Sequence, residues 1–171
     1  MRNCLVTVLV FFTAILTTVS MGFAQANLPI YTDNLVNGFQ DWSWGTRNLA
    51  NASPVHSGAD SISASMVAWE ALSFGNSDFN TIPYTNLTFW AHGGTSGGQR
   101  LEVYAQYGPG GNNYGPAYSL PSALTAGTWT QYTVSLSTPG VANRSEVNRI
   151  NIVLTSYGTT NTFYFTTPTD T

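Results

Sequence analysis

The 171-residue chain carries only 8% Asp, Glu, Lys and Arg, against about 25% in an average soluble protein. Its five basic residues are all arginines, its formal net charge is −3, and 13% of its residues are aromatic. That balance excludes a phosphate-tracking nucleic-acid binder, which needs a basic stripe, and 43% apolar residues at low net charge exclude a disordered chain. One folded domain is expected at this length, with a surface whose polarity comes from hydroxyls and amides.

Met1 and Arg2 precede an apolar run at residues 5–16 (LVTVLVFFTAIL), and Ala24, Gln25 and Ala26 offer the small residues that a signal peptidase accepts. The expectation is a secretory signal over 1–26 and a mature domain over 27–171, extracellular or attached to a cell wall. An uncleaved membrane anchor competes with it, because residues 5–23 approach the ~20 residues of a span; the A-x-A site favours cleavage. Cys4 is the only cysteine, so its removal leaves no disulfide, thiolate metal site or cysteine nucleophile. The remainder is long enough to bury a core without such staples. Sequons at Asn51, Asn86 and Asn143 permit N-glycosylation.

No stretch of ten residues keeps helical spacing, whereas period-two alternation recurs along the chain. Trp42 and Trp44 share a face with Gln40, as a ligand platform or as core. Residues 60–66 turn Ile62, Ala64 and Met66 inward, and in 67–74 Leu72 and Phe74 claim the inward face and leave Trp69 opposite. Residues 86–92 bury Leu87, Phe89 and Ala91 and leave Thr88, Trp90 and His92 outward. In 99–107, Leu101, Val103, Ala105 and Tyr107 point in, with Arg100, Glu102, Tyr104 and Gln106 out. Residues 130–136 bury Tyr132, Val134 and Leu136, and 148–155 bury Ile150, Ile152 and Leu154 while exposing Arg149, Asn151 and Val153. These short strands, punctuated by Gly, Pro, Asn and Ser, predict an all-β antiparallel sandwich, most simply a jelly roll.

If residues 86–92 and 99–107 pair as a hairpin across the glycine-rich loop at 93–98, then Trp90, His92, Arg100, Glu102, Tyr104 and Gln106 share one face, with Trp69 able to join. Flat rings beside amides, a guanidinium and a carboxylate suit a sugar, whose C–H faces stack while its hydroxyls hydrogen-bond. Each residue also has a structural reading. Trp129 suits a core or sheet-edge position, Arg100 and Glu102 are placed to pair with each other, and His56 and His92 are too few and too far apart in sequence to define a metal site.

The segments at 30–35 (IYTDNL), 38–44 (GFQDWSW), 53–58 (SPVHSG), 87–94 (LTFWAHGG) and 126–136 (AGTWTQYTVSL) together resemble the β-jelly-roll carbohydrate-binding modules of secreted microbial glycoside hydrolases. The resemblance covers nearly all of the mature chain. It implies a monomer that binds a cell-wall polysaccharide of the cellulose, β-glucan, xylan or chitin class, with no cofactor needed for binding. It also implies a structural calcium ion with Asp33 as one ligand; where the family's last strand ends in consecutive aspartates, residues 162–167 here carry threonines.

Two other classes compete with a non-catalytic binder. A small jelly-roll glycosidase needs two carboxylates about 5–5.5 Å apart for retention or about 6.5–9.5 Å for inversion, and Glu102 with Glu70 is the most plausible pair among eight acidic residues. Their opposite parity weakens it, and no laminarinase-type Glu-x-Asp-x-Glu, serine elbow or H-E-x-x-H helix is present. A structural or adhesive wall protein is the third class.

Overall fold

The computed structural model describes residues 26–156 and 161–168; residues 1–25 of the expected signal, with Cys4, lie outside them. Among the described residues eleven strands form in chain order: β1 Gln40–Asp41, β2 Thr46–Asn51, β3 Ser61–Met66, β4 Ala71–Phe79, β5 Asn86–His92, β6 Leu101–Tyr107, β7 Asn113–Tyr114, β8 Tyr118–Ser119, β9 Trp129–Ser135, β10 Val147–Leu154 and β11 Asn161–Thr166. The alternation read from the sequence builds two antiparallel sheets. One runs β1-β4-β10-β6-β7 with β8 also on β6; the other runs β2-β3-β11-β5-β9. Among the described residues, helix is limited to a 3-10 turn at Pro109–Gly111. The chain is an all-β sandwich, as its periodicity predicts.

The inward parities hold for most strands. Ile62, Ala64, Met66, Leu87, Phe89, Ala91, Leu101, Val103, Ala105, Tyr132, Val134, Leu136, Ile150, Ile152 and Leu154 are all buried. Phe165 of β11 joins the layers, with its ring 5.3 Å from Phe74 of the opposite sheet and 5.2 Å from Phe89 beside it. Each such ring contributes on the order of 2–3 kcal/mol by leaving water. The chain ends are tied across the sandwich: Thr167 Oγ1 donates to the Tyr31 carbonyl at 2.6 Å and accepts from its N–H at 3.1 Å. A mostly apolar cavity of about 320 Å³ lies beside that tie, between Leu28, Phe39, Phe79, Tyr84, Leu87 and Ile150.

Three expectations are corrected. β5 and β6 are not a hairpin: β5 pairs with β11 and β9, and β6 with β10, β7 and β8, in different sheets. The 93–98 loop crosses between layers. It is pinned by Gly93 N–H donating to Thr125 O and Gly98 N–H to Leu124 O, and buried Gln99 donates its amide to both Gly93 O and Thr162 O. Asn151 and Val153 are buried at 0% and 5% exposure; β10 is the middle strand of its sheet, with Tyr104 and Glu102 of β6 beside them. Tyr107, expected inward, is half-buried with the Arg144 guanidinium 3.7 Å from its ring centre.

Candidate functional site

The outer face of the six-stranded sheet is a lattice fixed by register. Gln40, Gly75, Arg149, Gln106 and Tyr114 lie directly opposite one another across five strands. Asn151 lies between Ser73 and Tyr104, and Val153 between Ala71 and Glu102, with Ser119 beyond Glu102. Past the end of β1 the chain stays paired with β4: Trp42 N–H donates to Ser73 O, and Trp44 exchanges both backbone bonds with Ala71. Trp42 and Trp44 therefore flank the Ser73 and Ala71 rows, at 40% and 38% exposure.

The geometry of this edge is held from several sides. Gly75 has no side chain, and the Trp42 ring occupies the space a Cβ would take. Trp42 Nε1–H donates to Gln40 Oε1 at 3.1 Å, and Trp44 Nε1–H to the Trp69 carbonyl at 2.7 Å. Trp69 sits at the sheet's end with φ +74° and its ring exposed. Between the tryptophans, Ser43 Oγ accepts the Ser73 N–H, and the Asp41 carboxylate accepts the Ser43 N–H and binds Arg47 at 2.7 Å. Burial alone would raise the Asp41 pKa, but these bonds from Ser43 and Arg47 outweigh it and hold the carboxyl below its ordinary value.

The opposite margin is formed by Tyr104 and exposed Tyr114, 6.3 Å apart. Burial raises the Tyr104 pKa, against the pull of a hydrogen bond with Gln106 and the Arg149 charge, so the phenol stays a neutral donor. Between the two ring-bearing margins the floor is polar. Arg149 Nε, both polar atoms of the Asn151 amide and Ser73 Oγ are buried without a hydrogen-bond partner in the protein. Each unpaired buried group of this kind costs about 1–3 kcal/mol, and four of the five such atoms among the described residues lie on this face. Glu102, half-buried on this face, accepts from Ser119 Oγ at 2.7 Å. Arg100 is exposed at the start of β6, and the ion pairs among the described residues are Arg47–Asp41 and Arg144–Glu146, so the expected Arg100–Glu102 pair is not formed.

Trp90 and His92 are not part of this face, because β5 belongs to the other sheet. His92 is buried at 7% exposure, with Nδ1 accepting the Gly94 N–H at 3.0 Å. Trp90 is half-buried under His56, whose ring stacks on it at 3.8 Å. Trp129 packs against both histidines, as its structural reading expects. The single six-residue face read from the sequence is thus split. Arg100, Glu102, Tyr104, Gln106, Trp42, Trp44 and Trp69 lie on or beside one sheet's outer surface, and Trp90 and His92 on the opposite one. Sequence reasoning did not find Arg149, Asn151 or Tyr114 as site residues. The signal for the first two was their outward parity on the 148–155 strand.

No family model matches the chain. An endoglucanase from Dictyostelium discoideum is 40% identical over 79 residues, 45% of this chain and 11% of that protein, so the chain spans about a tenth of that relative. Among solved structures, a variant of a family 29 carbohydrate-binding module complexed with mannohexaose superposes with TM-score 0.54 at 12% identity, over 81% of this chain and 86% of the module. A family 11 carbohydrate-binding module from Clostridium thermocellum, in complex with a β-1,3-1,4-mixed-linked tetrasaccharide, superposes with TM-score 0.53 at 11% identity, over 81% and 92%. The fold is that of the β-sandwich carbohydrate-binding modules.

The residues offered for metal and catalysis can be set against that fold. Asp33, at φ +64°, uses Oδ1 to accept the N–H groups of Ala59 and Asp60 at 2.8 and 3.0 Å. Among the described residues no group of three or more His, Cys, Asp and Glu comes together, and in the 162–167 strand Thr167 bonds the Tyr31 backbone instead. Glu70 and Glu102 do not face each other. Glu70 Oε2 accepts the Val67 N–H at the β3–β4 turn, whereas Glu102 stands on β6, with β10 between it and the Ala71 position of β4. Of the sequons, Asn86 and Asn143 are exposed, and Asn51 is half-buried with its amide donating to Ser61 Oγ.

Proposed function

We propose that this protein is a non-catalytic carbohydrate-binding protein that holds a neutral cell-wall polysaccharide on the outer face of the six-stranded sheet. The observation carrying this reading is the unpartnered polar floor of Arg149, Asn151 and Ser73 between Trp42 and Trp44 on one side and Tyr104 and Tyr114 on the other. Rings at the margins stack on the C–H faces of sugar units, and the guanidinium and amide in the floor pair with hydroxyls once the side chains above them part. The similar modules bound to mannohexaose and to a mixed-linked β-glucan tetrasaccharide support a ligand of the β-glucan or mannan class.

Binding without cleavage is supported by the carboxylates, since Glu70, the candidate partner, does not face Glu102. The apolar N-terminal run supports secretion, which N-terminal sequencing of the exported protein tests; an N-terminus at Asn27 is the expected result. Affinity electrophoresis on mixed-linked β-glucan, glucomannan and xylan, with pull-down on cellulose and chitin, tests the binding. Retention on at least one polymer that is lost in Trp42→Ala is expected, and no retention on any of them overturns the reading. Reducing-sugar release that disappears in Glu102→Gln would overturn its non-catalytic part.

A further inference from the structure

The outer face of the five-stranded sheet carries rings of its own. Tyr164, His92 and Trp129 lie directly opposite one another on β11, β5 and β9, and their rings touch in sequence, at 5.5 Å for Tyr164–His92 and 5.2 Å for His92–Trp129. Beside this row is an open hollow of about 410 Å³, with Pro54, His92, Gly94, Thr95, Gly127 and Tyr164 in its lining, a size within the range of small-molecule sites.

The hollow is rigidly made. Gly127 N–H donates to Gly94 O at 2.7 Å and Gly93 N–H to Thr125 O at 3.2 Å, so the two loops that wall it are fastened together. Gly94 and Gly127 both sit at φ +63°, a conformation that glycine adopts without cost. A Cβ on Gly94 would overlap the Thr162 carbonyl at 2.5 Å, so the backbone there approaches as closely as the chain allows. Among the described residues, no Asp, Glu, Lys or Arg lines the hollow. His92 belongs to it as a neutral ring: Nδ1 accepts from Gly94, and burial pushes its pKa below the ordinary histidine value despite a hydrogen bond to the Gly127 backbone.

We propose that this hollow is a second site, separate from the groove on the opposite sheet, that takes one neutral sugar ring. An ion would find no counter-charge there. A purely apolar ligand would leave the Thr95 hydroxyl and the loop backbone unused, whereas a sugar ring sets a C–H face against the half-buried Tyr164 ring and turns hydroxyls to that rim. The inference rests on the carbohydrate-binding reading for its ligand class but on different residues. A protein with sites on opposite faces bridges two polysaccharide chains.

The test is amide chemical-shift mapping with cellohexaose and with mannohexaose. It uses the wild type, the Trp42→Ala, Trp44→Ala double variant, and Thr95→Trp, which places a ring in the hollow from its exposed rim. Ala126→Trp repeats the blockade from the other lip if the Thr95 change unsettles its loop. Shifts at Gly94, Thr95 and Gly127 that persist in the double variant and vanish in the blocked variants are expected. Wild-type shifts confined to Arg149, Asn151 and their neighbours overturn the second site and leave the groove standing. Shifts at Gly94 and Gly127 without any in the groove keep the second site and overturn the groove. No shift on either face with either probe overturns both.

Discussion

The Arg149 guanidinium lies 4.7 Å from the centre of the Trp42 ring, so one residue joins the polar floor of the groove to its aromatic margin. Such a contact orients the ring, and the Arg149 Nε beside it has no hydrogen-bond partner in the protein. Removing a charged donor from a hydrogen bond costs about 1.5–3 kcal/mol. Arg149→Ala should therefore weaken polysaccharide binding by roughly 10- to 100-fold with the fold intact. Arg149→Lys should recover little of it, because an ammonium lacks the planar fork and stacks less well. Isothermal titration checks both; an Arg149→Ala protein that binds as tightly as wild type removes Arg149 from the site.

Gly75 controls the same ring from below. A Cβ at that position overlaps the Trp42 ring, and because Trp42 is on the exposed side of an edge strand, the ring yields before the core does. Gly75→Ala should reproduce most of the binding loss of Trp42→Ala, about 1–2 kcal/mol by analogy with other aromatic contacts, while the thermal midpoint moves little. A large fall in the midpoint with binding retained would show that the backbone, not the ring, absorbs the methyl group.

How much of this was readable in advance follows from what alternation encodes. Leu87, Phe89 and Ala91, or Leu101, Val103 and Ala105, point inward by parity, and they do so whether their strands are neighbours in one sheet or face each other across the core. Parity therefore gave the sandwich and its interior, but not the partition of β5 and β6 between layers. That partition is set by long-range bonds, such as Gln99 to Thr162, that no local pattern contains. Asn151 shows the complementary limit. Its outward parity was legible, and its burial was not, because that depends on β10 lying between β4 and β6.

Trp90 is the residue whose role changes most. Read as a platform in the sequence, it lies under the His56 ring at 3.8 Å with little tilt, on the sheet opposite the groove. Trp90→Ala should leave groove affinity unchanged in the presence of Arg149 and Trp42. It should lower stability by about 1–3 kcal/mol, since a half-buried indole is lost and His56 with it loses a stacking partner. Paired titration and denaturant curves separate the two effects; a loss of groove binding at unchanged stability would return Trp90 to the site.

His92 gives the fold a pH dependence whose sign is fixed by its burial. Its pKa is lowered in the folded chain, chiefly by desolvation, so the unfolded chain binds the proton first and stability rises with pH. The contribution is complete above the unfolded value near 6.5 and is lost as the pH falls through the lower, folded one. Asp41, also lowered, acts in a separate window below its ordinary value of 3.8, so a comparison of pH 7.5 with pH 5 isolates the histidine. The urea midpoint should be lower at pH 5, and His92→Gln should flatten that difference. Equal midpoints at the two pH values in the wild type would mean that the His92 cavity admits the charged ring, and with it that the hollow beside Tyr164 is not reserved for neutral groups.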